Sequence, residues 1–364
     1  MTTTTLLPPT AMSLPRAAEL PVLKMGFPRA AEARLIAAGI TTALMLAEMA
    51  SRHPTALKHL TGVTPTKARR MIEERLGPIP DFTRVANCHQ LLPAAGVPLD
   101  LPGIAAADHT ERDRFFVDRL SSILDLPSRV SLVAQCQPVG DQGPHGTCTG
   151  WAANALREYS RGTPMSAGYA YRGAKARDGW PGAGSWLRFA LEHFHLAGHV
   201  GADDYSYAAA IREEPIDPLA GIASRARTQG HAALSLREPT LLARLIRAIL
   251  AGRLDPGLPP LPIAISIRLY PSFTSTSTAL DGLIPLPLPG ETPTGGHAMV
   301  IVGYLDAKDP TNAFGVDYFL ARNSWGPSWA AGNPMAAPGH ALIPAAALAR
   351  PGDLMEAWIA IDTT

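Results

Sequence analysis

An α+β chain with two lobes, preceded by a small all-α unit, is expected from three features of this 364-residue sequence. Residues 129–252 carry helical spacing almost throughout. From residue 262 the period shortens to two, in "PIAISIRLY", "HAMVIVGYL" and "VDYFLARNSW", which are rich in β-branched and aromatic residues and bounded by proline and glycine. Helices gathered ahead of strands, rather than alternating with them, point to two subdomains with a cleft between them. The third feature is a separate set of short, capped helices near the front, over 24–77.

Taken in order, residues 1–23 are rich in threonine and proline and read as a flexible arm. In 24–77, "RAAEARLIAAGI" ends at Gly39, a helix terminator, and "TTALMLAEMASR" opens a second helix with Thr41 or Thr42 as cap. "LTGVTPTKARRMIEERLG" holds a turn at Gly62, a cap at Thr64, Pro65 in the first helical turn, and a stop near Gly77. Residues 78–126 read as a linker or a segment laid along another surface, with "LLPAAGVPLDLPGIAAA" extended and "DHTERDRFFVDRLSSILD" a short helix. The main domain spans 127–364. In its helical part "CTGWAANALREYSR", "GSWLRFALEHFHLAG" and "PTLLARLIRAILAG" have helical spacing. The last places apolar residues at 241, 242, 245, 246, 249 and 250 on one face. The Thr/Ser run at 274–278 reads as a solvated loop.

Composition bounds the function. The chain is 46% hydrophobic and 17% charged, enough to bury a large core. A net charge of +1 gives no global drive toward nucleic acid or an anionic membrane. Its three cysteines, Cys88, Cys136 and Cys148, make no secreted disulfide framework. The start "MTTTTLLPPTAMSLP" lacks a basic region followed by an apolar run, and no stretch is long and apolar enough to span a bilayer. The expected location is cytoplasmic, with signal-independent export as the alternative. Cys136 either pairs with Cys88 or packs. His193, His195 and His199 do not share one helix face, so no metal site is expected there, and no cofactor is called for.

The chemistry is expected around "QGPHGTC". Cys148 falls where a glycine-rich turn becomes a helix, and unpaired amides and the helix dipole stabilise a thiolate there. A nucleophilic cysteine also needs a base, and His297 in "TGGHAMVIVGY" opens an apolar strand. Asn323, in "RNSWGPSW", ends another strand. Its amide oxygen can accept the ring proton of a histidine and so fix tautomer and ring plane, with Trp325 shielding that bond from water. The NH2 group of Gln142 and the Cys148 amide can together donate to an oxyanion. Each residue alone has an ordinary structural explanation. The four in this order, each in a distinctive local context, are harder to obtain by chance.

"PVGDQGPHGTCTGWA", "GGHAMVIVGY" and "ARNSWGPSW" resemble the papain-like cysteine peptidases, in the bacterial style where Thr-Gly follows the nucleophile. The resemblance covers about 127–360. It implies a helical left lobe and a β-barrel-like right lobe, with Cys148 as nucleophile, His297 as general acid/base, Asn323 as orienter and Gln142 as oxyanion donor. "SAGYAYRGAKARDGW" and "GAGSWLRFALEHFHLAGHV" look like the family's second helix and substrate-binding turn. By this carry-over Gly184, Ser185, Gly296 and Trp325 line the substrate site. Papain itself has another cysteine three residues before the nucleophile. Here that position is His145, and the disulfide is missing. The resemblance implies a cysteine endopeptidase acting on peptides or proteins through a thioester. It also suggests a zymogen whose front segment covers the cleft. The rival reading is a catalytically silent, peptide-binding papain fold.

The 24–77 unit resembles a helix-hairpin-helix fold. It holds nine Lys/Arg against four Asp/Glu, a net of about +5. Such hairpins bind phosphates through helix N-terminal amides. However, Thr64 stands where the second hairpin glycine is usual, so a protein-packing or protein-partner role is expected ahead of nucleic acid. A protease recruited to nucleic acid by this unit is the remaining alternative.

Overall fold

A computed structural model describes residues 17, 18, 20–79, 82, 125–234, 239–350 and 352–362. Cys88 and most of the 78–126 segment lie outside these residues, as does the beginning of the expected arm. What is described of the arm is not loose. Ala17 and Val22 are buried, and the Val22 amide donates to the Thr41 carbonyl at 2.8 Å.

Four helices follow: α1 (Arg29–Ala37), α2 (Ala43–Arg52), α3 (Pro54–Thr61) and α4 (Pro65–Leu76). Thr42, rather than Thr41, caps α2 by accepting from the Met45 amide. Gly62 ends α3 in the left-handed conformation. Thr64 is the N-cap residue of α4, but its side chain makes no capping bond. The chain beyond α4 turns back onto these helices. Ile79 and Phe82 are buried, and the Phe82 amide donates to Ser51 Oγ at 3.2 Å.

The rest is α+β in two lobes. The helical lobe is α5 (Cys148–Arg161), α6 (Ala167–Asp178), α7 (Leu187–Leu196), α8 (Tyr207–Ile211) and α9 (Ala220–Ala223). Helices α5 and α6 cross closely at Gly150, where a Cβ would lie 2.6 Å from Tyr171 Cβ, so only glycine fits the "CTG" motif here. The sheet lobe contains β1 (Arg129–Ser131), β2 (Gly230–Ala233), β3 (Ile263–Leu269), β4 (Gly295–Leu305), β5 (Tyr318–Arg322), β6 (His340–Pro344) and β7 (Leu354–Ile361). Their order is β2-β7-β3-β4-β5-β6, with β1 paired to β4, and each of these pairings is antiparallel. Every residue of β4 is buried, because strands flank it on both edges and α5 packs on it. Helix α10 (Pro239–Leu250) also lies against β4. Its Arg247 pairs with Asp306 and sits 5.1 Å over the Tyr304 ring. The three expected strands are present. Strands β1, β2, β6 and β7 were not anticipated.

The Ser/Thr run is not a solvated loop. Residues 276–281 form α11 (Thr276–Asp281), and Ser275, Thr276, Ser277 and Thr278 are buried. The physical reason lies far away in sequence. Glu48 on α2 accepts the Thr276 and Ser277 amides at 3.0 and 2.8 Å, so a carboxylate fills the N-terminus of α11. Arg52 pairs with Glu48 at 3.1 Å. The proline-rich stretch after α11 packs against the front helices as well. The Leu286 amide donates to the Ala38 carbonyl at 2.9 Å, and Tyr318 Oη donates to Thr41 Oγ1 at 3.0 Å. The front helices and the sheet accordingly share one continuous core.

Candidate active site

The turn from Gln142 to Thr147 delivers Cys148 to the first residue of α5. Tyr207 on α8 pins this turn, donating to the Gln142 carbonyl at 2.7 Å and lying 2.6 Å from Thr147 Oγ1. The Gln142 amide donates to the Ser324 carbonyl at 2.8 Å, which ties the turn to the end of β5. The Gln142 side chain is buried. Its Oε1 accepts from Ser324 Oγ at 2.6 Å, and its Nε2 donates to the His145 carbonyl at 2.6 Å. An NH2 group has two protons, so that bond leaves the second for another acceptor.

From the other lobe, β4 brings His297 and Ala298. The Ala298 amide donates to Cys148 Sγ at 3.3 Å, so residues 150 positions apart meet across the lobes. His297 Nε2 lies 2.7 Å from Asn323 Oδ1. The same Asn323 atom accepts the Ser324 amide at 2.8 Å, which identifies it as the oxygen. An oxygen only accepts, so Nε2 carries the proton, and in the neutral ring Nδ1 holds the lone pair. Nδ1 is buried without a hydrogen-bond partner among the described residues. Trp325 stacks on the imidazole, with ring centres 4.8 Å apart and planes at 26°. Phe273 meets both rings edge-on, 6.2 Å from His297 and 5.7 Å from Trp325.

Burial governs the protonation of this site. Cys148 and His297 are both 0% exposed. Burial pushes the Cys148 thiol up to about 12, against the opposing pull of the Ala298 amide and Thr149. Burial also pushes His297 down to about 4, although the Asn323 bond acts the other way. Both groups are held neutral here, as desolvation requires.

Gly184 and Ser185 lie just ahead of α7 and are buried. The Gly184 amide donates to Tyr171 Oη at 3.2 Å. Thr149 Oγ1 donates to the Ser185 carbonyl at 2.9 Å, so the residue after Cys148 anchors this turn. Gly296 precedes His297 in β4 and pairs with Arg268 of β3. Cys136 carries a free thiol that donates to the Leu132 carbonyl at 3.4 Å. His199 meets Asn154 Oδ1 at 2.8 Å and stacks on Phe194, and His193 packs against Tyr169. Among the described residues no group of His, Cys, Asp or Glu could hold a metal ion, and no helix is long and apolar enough to cross a membrane.

Sequence reasoning did not find several residues that shape the site. Phe273 lies immediately before the misread Ser/Thr run. Glu356 is a lone acid in the apolar run of β7, a signal that was available. It accepts from the Leu187 and Arg188 amides at 3.0 and 3.1 Å, from Ser266 Oγ and from Trp358 Nε1, and so couples the start of α7 to the sheet.

No family model matches the chain. An uncharacterized peptidase C1-like protein of Acanthamoeba polyphaga mimivirus is 24% identical over 224 residues, covering 58% of this chain and 67% of that protein. Among solved structures, xylellain, a cysteine protease from Xylella fastidiosa, is similar with a TM-score of 0.56 and 20% identity over 75% of this chain and 98% of its own. Digestive procathepsin L2 proteinase from Tenebrio molitor larval midgut is similar with a TM-score of 0.53 and 18% identity, over 78% of this chain and 82% of its own. The chain has the papain-like, two-lobe α+β fold.

Proposed function

We propose that this chain is a papain-like cysteine endopeptidase, with Cys148 as nucleophile, His297 as general acid/base, Asn323 as orienter and Gln142 as oxyanion donor. One observation supports this most directly: Cys148 Sγ at the start of α5 lies 3.3 Å from the amide next to His297, whose Nε2 bonds Asn323 at 2.7 Å. In the open enzyme the Nδ1 lone pair takes the thiol proton, giving a thiolate–imidazolium pair. The thiolate attacks the scissile carbonyl. The developing oxyanion is met by the Cys148 amide and the remaining Gln142 proton. The imidazolium then protonates the leaving amine, and water hydrolyses the thioester. A substrate backbone would run along Gly184 and Ser185. No step requires a metal.

The chain is further read as a zymogen. A sulfur with no exposed surface cannot meet a peptide, and burial holds both reacting groups neutral. We assign the closure to the front of the chain, with the 78–126 segment as the covering piece and the 24–77 helices as its anchor on α11. The 24–77 helices are thereby read as a packing unit rather than a nucleic-acid module. The test is intact mass after exposure to an epoxide thiol inhibitor, for the full chain and for a chain beginning at Leu126. The shorter chain is expected to gain one adduct rapidly and the full chain slowly, with no adduct in Cys148→Ala. No adduct on either chain would favour a silent peptide-binding fold, and equal rates would remove the inhibitory role of the front.

A further inference from the structure

The loop that joins α6 to α7 has no regular structure, yet it presents the Gly184–Ser185 turn. Its backbone converges on one point. Lys175 Nζ, from the last turn of α6, lies 2.6 Å from the Trp180 carbonyl, 2.9 Å from the Gly182 carbonyl and 3.2 Å from the Gly184 carbonyl. It is also 3.0 and 3.3 Å from the two carboxylate oxygens of Asp178. An ammonium has only three protons, so five oxygens at these distances surround it as they would a bound cation. The Asp178 side chain is fully buried and that of Lys175 is 16% exposed. Asp178 also accepts the Trp180 amide at 2.9 Å. Without the ammonium, three carbonyl dipoles and the buried Asp178 carboxylate would point at one another, which is electrostatically unfavourable. Gly184, at φ +87, is the last residue of this cage. Its amide is held by Tyr171, and the next carbonyl by Thr149, beside Cys148.

We propose that Lys175 is a positioning residue for substrate. It acts as an internal cation that organises residues 178–184 and thereby sets the Gly184–Ser185 edge at its distance from the Cys148 sulfur. It touches no reacting atom. The inference rests on the peptidase reading above, because only there does that edge hold an extended peptide.

The experiment compares wild type, Lys175→Ala and Asp178→Asn, each folded as the full chain and read after its front segment has been cleaved. Three quantities are read: KM and kcat on an extended peptide, the rate of Cys148 alkylation by iodoacetamide, and thermal midpoint with and without methylammonium. Lys175→Ala is expected to raise KM about tenfold to a hundredfold, the scale of a misplaced substrate contact, with the alkylation rate unchanged. Methylammonium, which fits the vacated cage, is expected to lower KM again and raise the midpoint of Lys175→Ala but not of wild type. Asp178→Asn, which keeps the oxygen and loses the charge, is expected to raise KM less. An unchanged KM in Lys175→Ala overturns the proposal. So does a parallel fall in kcat and alkylation, which marks general disruption of the site. Should Lys175→Ala not fold, Asp178→Asn decides by the same split. Wild type that neither alkylates nor cleaves sinks the peptidase reading instead, and the methylammonium effect on the midpoint then judges the cage alone.

Discussion

Replacing Asn323 with alanine tests the orienting bond most sharply. Asn323 Oδ1 is the acceptor seen for the His297 Nε2 proton, at 2.7 Å, and both residues are buried. Alanine leaves that N–H without its acceptor in a buried site beside Trp325 and Phe273. An orphaned buried donor costs about 1–3 kcal/mol. If the reactive state feels that loss in full, kcat/KM falls by about 5- to 150-fold, at about 1.4 kcal/mol per decade. The pH profile should move too. The Asn323 bond holds the His297 pKa up against burial, so its loss makes the imidazolium deprotonate earlier and shifts the alkaline limb to lower pH. The assay is kcat/KM on a fluorogenic peptide across pH, with active sites counted by epoxide titration. Wild-type activity with an unmoved alkaline limb would refute the orienting role.

Three further outcomes are expected. Gln142→Ala should lower kcat by about 10²- to 10³-fold if its free proton meets the oxyanion, with epoxide labelling of Cys148 retained; an unchanged kcat would remove it from that role. Glu48→Ala should destabilise the full chain by about 2–4 kcal/mol in urea unfolding, since it strands two buried amides of α11, and Glu48→Gln should cost less. Asp281 is fully buried, and burial followed by nearby Glu48 raises its carboxyl to about 8. Its raised pKa means that the folded chain holds a proton that the unfolded chain, with an ordinary carboxyl, releases above about pH 4. This group's contribution is therefore present below pH 4 and lost as pH rises toward 8. Asp281→Asn should flatten that decline in the unfolding midpoint. An unaltered slope would show that Asp281 is ionised in the folded chain.

The candidate site was legible because each of its parts sits in a short, distinctive context. Cys148 follows a glycine-rich turn and opens a helix, His297 opens an apolar strand, and Asn323 closes one. Strands β3, β4 and β5 were legible for the same reason, being apolar runs between breakers. Strand β1 is only three residues long. The apolar β7 lies near the end of the chain, after a proline- and glycine-rich stretch that masked its period. The Ser/Thr run was misread because nothing within it announces its partner. Its amides are satisfied by Glu48, 228 and 229 residues away.

Local spacing alone thus determined the chemistry on offer: a thiol at a helix start, an imidazole and an amide at strand ends, and the α+β order that separates them. Only the folded chain decided that these groups meet, that burial holds them neutral, that Phe273 packs against the His297 and Trp325 rings, and that Lys175, Glu356 and Glu48 fix the segments leading into α7 and α11. The physical reason is that periodicity and capping act over a few residues. Desolvation and the pairing of buried charge depend on neighbours that only the tertiary fold supplies.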